Sequence, residues 1–246
     1  MIQVIVCGAL GRMGKLCVEK INSAAELELA AQVDIAGDGK TVLTSLEDFT
    51  GSADVLIDFS YHTATPAIMG WAAAHNTGVV MCTTGHDEAE KAAIEAAAEA
   101  IPVFWSANMS LGVALLIELA KKTAAAFPDA DIEIVETHHT RKVDAPSGTA
   151  LMLYNAIKEV RPNATANCGR SGEGKRTKDE IGIHALRLGN VVGIHEVHIH
   201  TGNQSLKLTH ESGSRAMLAD GAVAAARFME GKGKGLYNME DILNQI

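Results

Sequence analysis

The stretch Ile2-Gln3-Val4-Ile5-Val6-Cys7-Gly8-Ala9-Leu10-Gly11-Arg12-Met13-Gly14 decides the fold. Residues 2–7 form a short, nearly continuous apolar run, the pattern of a strand buried on both faces of a parallel sheet. Gly8, Gly11 and Gly14 follow, where the chain turns from strand into helix. Glycines there let the backbone approach a pyrophosphate and let the helix pack on the strand, and the helix N-terminus adds N–H groups and partial positive charge. The spacing departs from G-x-G-x-x-G because Leu10 holds the middle place. A tight strand–helix turn without a ligand is the plainer alternative.

Reading outward, a helix runs from about Arg12 to Ala24 and a second strand over Leu27–Val33, ending at Asp34. Strands over Asp54–Phe59, Gly78–Cys82 and Ile101–Trp105 alternate with helices over Thr63–His75 and Asp87–Ala100. Such alternation predicts right-handed crossovers and a parallel sheet covered on both faces. An acid at the position of Asp34 accepts hydrogen bonds from an adenosine ribose in these folds. Arg12 and Lys40 are cations within reach of a 2′-phosphate, so the expectation is use of both NADH and NADPH with a tilt towards NADH. Thr83-Thr84-Gly85 and Ala107-Asn108-Met109 follow the fourth and fifth strands. Ligands of open parallel sheets bind beyond such carboxyl ends.

The texture changes near Asn108. A long apolar helix is expected over Leu111–Phe127, a strand over Ile132–His138 and a helix over Ser147–Val160. A charged, Gly-rich loop fills 167–180. Strands over 183–188, 191–200 and 205–210 are separated by turns at Gly189-Asn190 and Gly202-Asn203, an antiparallel pattern with short connections. A helix follows over Ser214–Glu230. The expected fold class is α/β: a Rossmann-type doubly wound parallel sheet over 1–109, completed by the C-terminal helical segment 214–246, with a second α+β domain over 110–213 on an open mixed or antiparallel sheet. The outward face of that sheet is expected to carry Val191, Ile194 and Val197 or, in the other phase, His195 and Ile199. Either set is apolar enough to suggest an interface.

The richest chemistry lies in Glu136-Thr137-His138-His139-Thr140-Arg141-Lys142-Val143-Asp144-Ala145-Pro146-Ser147-Gly148-Thr149-Ala150. Adjacent strand side chains point to opposite faces, so His138 and His139 do not suit one metal; a general acid and a separate binding residue fit better. Histidine is suited to donating a proton near neutral pH. Lys142 offers a cation for developing negative charge. Ser147-Gly148-Thr149 offers N–H groups and a hydroxyl at a helix start, a natural carboxylate site. Surface or capping duty is the bland reading of the histidines. His198 and His200 share a strand face, but no Cys or acid with zinc-site spacing accompanies them, and no metal is expected.

Bulk properties agree. The net charge of −9, with 21 basic and 30 acidic residues, argues against broad nucleic-acid binding. The 47% apolar content suffices for a full core in 246 residues. Cys7, Cys17, Cys82 and Cys168 form no C-x-x-C pair and read as small buried hydrophobes. No apolar run approaches a membrane span and no signal segment is evident, so a cytoplasmic enzyme is expected.

The opening Gly-Ala-x-Gly-Arg-Met-Gly, the Cys82-Thr83-Thr84-Gly85 turn, Glu136-x-His-His-x-x-Lys-x-Asp-Ala-Pro-Ser-Gly-Thr-Ala, Gly169-Arg170-x-Gly-Glu and Ser214-Arg215 occur in an order that resembles the dihydrodipicolinate reductase family across essentially the whole chain. The resemblance implies a homotetramer with an N-terminal dinucleotide domain and a C-terminal substrate and assembly domain. It implies NADH- or NADPH-dependent formation of tetrahydrodipicolinate from its 4-hydroxy precursor, with loss of water, on the diaminopimelate and lysine route. It assigns His138 as proton donor, Lys142 as catalytic lysine, and His139 with Ser147, Gly148 and Thr149 as contacts to substrate carboxylates. It also implies cofactor contacts at Gly8, Gly11, Arg12, Met13, Gly14, Asp34, Cys82, Thr83, Thr84, Ser106, Ala107, Asn108 and Met109. Leu10 and Cys82 stand where many members carry glycine, Met109 where an aromatic is common, and Ile194 where an acid is often seen. A nucleotide-binding sensor without chemistry, or a reductase of another small acid, are the competing readings; the intact His138, His139 and Lys142 set speaks against the first, and the unaltered Ser147-Gly148-Thr149 turn against the second.

Overall fold

The computed structural model describes residues 1–245. In chain order the strands are β1 (Ile2–Cys7), β2 (Leu27–Val33), β3 (Val55–Asp58), β4 (Gly78–Met81), β5 (Pro102–Trp105), β6 (Asp131–His138), β7 (Thr165–Cys168), β8 (Glu180–Arg187), β9 (Gly193–His200), β10 (Ser205–Ser212) and β11 (Gly235–Tyr237). The helices are α1 (Arg12–Asn22), α2 (Thr65–Ala74), α3 (Glu88–Ala98), α4 (Leu111–Ala126), α5 (Gly148–Val160), α6 (Ala216–Phe228) and α7 (Met239–Leu243). The chain divides into two compact units, Met1–Ser110 with the segment from Arg215 onward, and Leu111–Ser214. No helix of the described residues is long and apolar enough to cross a membrane.

The first unit is a parallel sheet ordered β11-β5-β4-β3-β1-β2. Its central strands β1, β3 and β4 are apolar and buried because both faces are covered. Packed against the sheet, Ile5, Leu56, Val79, Met81 and Val103 form one core with Ile68, Trp71 and Ile94 of α2 and α3. Each such large side chain taken out of water contributes about 1.5–3 kcal/mol. On α1 and α6, which pack together, Lys20 meets Asp220 at 2.6 Å. Two local signals fix helix starts. A capping box joins Asp87 and Glu90 at the start of α3, with hydrogen bonds of 2.9 and 2.8 Å. Pro66 sits in the first turn of α2, behind a 3₁₀ turn over His62–Ala64. The strand β11, beside β5, and helix α7 escape sequence reading because three and five residues are too few to show a period.

The second unit is a sheet ordered β10-β9-β6-β8-β7. The helices α4 and α5 pack on one of its faces, where Leu116, Ala120, Leu153 and Ile157 meet Ile132, Ile134, Ile181, Ile183, Val197 and Ile199. The pairing β6–β8 is parallel and β6–β9 antiparallel, so the sheet is mixed. The turn at Gly189-Asn190 therefore does not close a hairpin: β6 lies between β8 and β9. The end of β6 is stitched to that connection by Leu188 N–H to the His138 carbonyl at 2.7 Å and Thr140 N–H to the Gly189 carbonyl at 3.1 Å. The turn at Gly202-Asn203 does join the antiparallel neighbours β9 and β10.

The sheet phase corrects the expected outward face. Val197, Ile199 and His195 are buried on the helix side. The opposite face carries Glu133, His184, Ile194, Glu196, His198 and Lys207, tied in part by Glu133–His184 at 2.8 Å and by a Glu196–Lys207 pair. That face is more polar than alternation alone suggested, because the charged residues of neighbouring strands share it with Ile194. Cys168 is exposed rather than buried.

Candidate active site

On the helix side of the second sheet, three strands bring ionisable groups into register. His138 lies beside Arg187 of β8, and Glu136 lies opposite His195 of β9. Glu136 is fully buried and accepts hydrogen bonds from four donors. Arg187 Nη1 and Nη2 grip its two oxygens at 2.9 and 3.0 Å, His138 Nδ1 binds Oε2, and Ser147 N–H reaches Oε1 at 3.1 Å. Burial alone would raise the Glu136 pKa, but the hydrogen bonds and charges of Arg187 and His138 outweigh it and hold the carboxyl below its ordinary value.

Ser147 is the N-cap of α5; its hydroxyl accepts the Ala150 N–H at 3.2 Å and meets His195 Nε2 at 3.1 Å. The His195 ring stands edge-on to that of His138, with centroids 5.0 Å apart. Burial, then the nearby His138, push its pKa down to about 4, which makes it a neutral wall of the site. Lys142 Nζ pairs with Asp144 Oδ1 at 2.9 Å, and that bond lowers the Asp144 pKa. The Asp144 carbonyl in turn accepts Arg187 Nη2 at 2.5 Å. Gly148 begins α5 exposed, while His139 and Thr149 are half-buried. The expected set His138, Lys142 and Ser147 is thus joined by one network through Glu136, Arg187, Asp144 and His195, residues the sequence reading did not select. Glu136 had a usable signal, since it lies two positions before His138 and so shares its strand face.

In the first unit, the candidate cofactor residues lie at the carboxyl edge of the parallel sheet. Gly8 has φ +71°, and a Cβ there would stand 2.5 Å from the Phe59 carbonyl oxygen. Gly11 caps α1 and its N–H bonds the Gly8 carbonyl at 3.0 Å. Gly14 is buried against Gly8: a Cβ there would strike the Gly8 carbonyl and lie 2.8 Å from Ala9 Cα. Arg12 is exposed and Met13 half-buried at the helix start. Asp34 accepts the Leu10 N–H at 3.0 Å through one oxygen and the Ala36 N–H at 3.0 Å through the other. Leu10 thus keeps its N–H engaged and its side chain outside.

A cavity of about 790 Å³ lined by Gly8, Gly11, Asp34, Glu47, Tyr61 and Trp71 opens at this edge. Cys82, Thr83, Thr84, Ser106, Ala107, Asn108 and Met109 end the neighbouring strands β4 and β5 and do not line it. Thr83 turns inward, its hydroxyl 3.0 Å from His86 Nε2, while Thr84 is exposed. Ser106 donates to the Asn108 carbonyl at 2.9 Å, and Met109 is buried with its carbonyl against Gly221.

A parallel sheet with a glycine-lined helix start at its carboxyl edge is the architecture of the dinucleotide-binding enzymes, and the second unit holds a buried network of acid and base side chains. Comparison with known proteins narrows the class. Residues 2–109 match the family model described as "Dihydrodipicolinate reductase, N-terminus", and residues 112–243 match "Dihydrodipicolinate reductase, C-terminus". The chain belongs to the dihydrodipicolinate reductase family. It is 40% identical over 248 residues to the 4-hydroxy-tetrahydrodipicolinate reductase of Clostridium novyi (strain NT), covering 99% of this chain and 98% of that one. It is 42% identical over 249 residues to the enzyme of the same name from Caldanaerobacter subterraneus subsp. tengcongensis, covering 100% and 99%. Among solved structures, a dipicolinate-bound dihydrodipicolinate reductase from Paenisporosarcina sp. TG-14 superposes with a TM-score of 0.75 at 25% identity, covering 97% of each chain.

Proposed function

We propose that this chain reduces 4-hydroxy-tetrahydrodipicolinate to tetrahydrodipicolinate, with His138 as proton donor and Lys142 as the cation that meets developing negative charge. One hydride and one proton enter and one water leaves. The nicotinamide cofactor, NADH or NADPH, supplies the hydride when bound. The observation that carries the reading is the Glu136–His138 pair in a site that also holds a lysine and the start of α5. A donor, a cation and the start of α5, with its partial positive charge, suit a small dicarboxylate. The dipicolinate in the related Paenisporosarcina structure is a planar dicarboxylate of the same kind.

Each predicted residue has a task in this reading. His139, Ser147, Gly148 and Thr149 hold the substrate carboxylates. The first unit is the dinucleotide-binding domain and the second the substrate-binding and assembly domain. Gly8, Gly11 and Gly14 fit a pyrophosphate, since a side chain at Gly8 or Gly14 would collide with backbone. Arg12 and Met13 lie at the helix start beside it. Asp34, already aimed by two backbone N–H groups, takes the adenosine ribose. Cys82, Thr83, Thr84, Ser106, Ala107, Asn108 and Met109 form the rest of the edge against which the cofactor lies. Ile35, the residue after Asp34, is 96% exposed and brings no cation, so a 2′-phosphate relies on more distant cations such as Arg12 and Lys40. This supports the tilt towards NADH. The enzyme works in the cytoplasm as a homotetramer, a reading supported by the family resemblance.

Oxidation of NADH and NADPH by the purified chain, with freshly generated 4-hydroxy-tetrahydrodipicolinate, tests the reaction. Turnover with either cofactor supports it, and none with both contradicts it. Sedimentation at micromolar concentration should give four chain masses, whereas a monomer would exclude the tetramer.

A further inference from the structure

We propose that Glu136, clamped by Arg187, is the positioning residue that keeps the His138 proton on Nδ1 and so presents Nε2 as the nitrogen that exchanges protons with substrate. The inference rests on His138 being the donor and concerns how that donor is set.

A fully buried carboxylate is unfavourable unless its lone pairs are filled and its charge is matched. Glu136 meets both conditions through the two-pronged Arg187 contact and the Ser147 N–H. Held ionised, it can only accept hydrogen bonds. The nitrogen of His138 that faces it, Nδ1, must therefore carry a hydrogen. The neutral ring is then left with its lone pair on Nε2.

The surroundings of Nε2 agree with that assignment. Gly193, at the start of β9, stands beside it: a Cβ there would lie 3.1 Å from Nε2. A residue of any other type would press on the nitrogen that the donor uses. His195, the other ring against His138, directs its Nε2 to the Ser147 hydroxyl instead of to His138. Glu136 also binds the N–H of the residue that caps α5, and Arg187 grips the carbonyl of Asp144, whose carboxylate holds Lys142. One buried ion pair thus places the donor, the start of α5 and the lysine loop together. A carboxylate whose task is only to neutralise Arg187 needs neither the His138 contact nor a glycine beside Nε2.

The test uses the full chain and two readouts. Ring-nitrogen NMR of the histidine-labelled wild type, with the His138 signals assigned by their loss in His138→Gln, reads the tautomer. The expected result is a protonated Nδ1 with an unprotonated Nε2 when the ring is neutral; the opposite tautomer overturns the proposal. In Glu136→Gln, which keeps shape but not charge, turnover should fall about 10²–10⁴-fold, the scale of a donor lost or held in the wrong tautomer, with KM moving less than kcat. Wild-type turnover in Glu136→Gln beside an inactive His138→Gln overturns the positioning role and leaves His138 as donor. Wild-type turnover in His138→Gln overturns the donor reading itself. Should Glu136→Gln fail to fold, the tautomer of the wild type decides.

Discussion

The two candidate sites are made of opposite materials. Around Gly8 the site is backbone and empty volume: a positive φ, a helix start and two places where a single methyl would meet a carbonyl. Around His138 it is side-chain charge, with Glu136, Arg187, Lys142 and Asp144 engaged with partners. A polyanionic cofactor needs close approach and diffuse positive potential, which backbone supplies without specific ionisable groups. Proton transfer needs groups whose charge state is set, which only side chains supply. The first site should therefore fail when volume is added and the second when charge is changed.

After His138 and Glu136, the largest effect expected from that contrast is at Lys142. Lys142→Ala should lower turnover about 10²–10³-fold, as loss of one electrostatic contact to the transition state commonly does. Lys142→Arg should not restore it fully, because a planar fork replaces a compact ammonium. Full activity in the Arg variant would mean that diffuse charge suffices in the second site as well, and the contrast would blur.

His195 sharpens the comparison through pH. Its folded-state pKa of about 4 lies below the ordinary 6.5, so the fold favours the neutral ring. Between those values the unfolded chain binds a proton that the folded chain refuses. Stability is therefore fully present above pH 6.5 and is lost as pH falls towards 4, by up to about 3 kcal/mol. Chemical denaturation at a series of pH values should show this slope, and His195→Gln should flatten it. An unchanged slope in the variant would assign the acid sensitivity elsewhere.

Volume comes next. Gly14→Ala adds one methyl against the Gly8 carbonyl and should cost about 1–3 kcal/mol, read as weaker NADH binding or a lower unfolding midpoint. Wild-type values for both would show that the turn yields easily. The smallest effect is at Asp34: Asp34→Ala should weaken NADH and relieve repulsion of the NADPH phosphate, shifting the preference about tenfold or less towards NADPH. Calorimetry with both cofactors reads this, and unchanged affinities would remove Asp34 from the cofactor site.

The same contrast governs how much could be read from sequence. The first site is local: strand, glycines and helix lie within residues 2–22, so pattern alone places them. The residue types of the His138-His139-Lys142 cluster already pointed to an acid and a cation, and the resemblance to a known family gave His138 and Lys142 those roles. The supporting groups are not local. Arg187 reaches Glu136 because β8 pairs in parallel with β6 across a helix and a long loop, and nothing near either residue announces that register. His195 was visible as one of an alternating set, but its phase depends on which strand β9 pairs with, and the turn at Gly189-Asn190 suggested β8 when the partner is β6. Both alternatives for the outer face included residues that are buried, Val197 in one and His195 with Ile199 in the other. β11 has too few residues to show a period, and β7, an exposed edge strand of Thr, Ala, Asn and Cys, has no apolar run to mark it.

The most direct test of the division between a backbone-built cofactor site and a charge-built proton site is one variant measured twice. Turnover of His138→Gln with NADH, and its NADH affinity by calorimetry, should part company. The account predicts turnover lower by about 10²–10⁴-fold with affinity within about twofold of wild type. Wild-type turnover, or an affinity that falls in step with turnover, would contradict it.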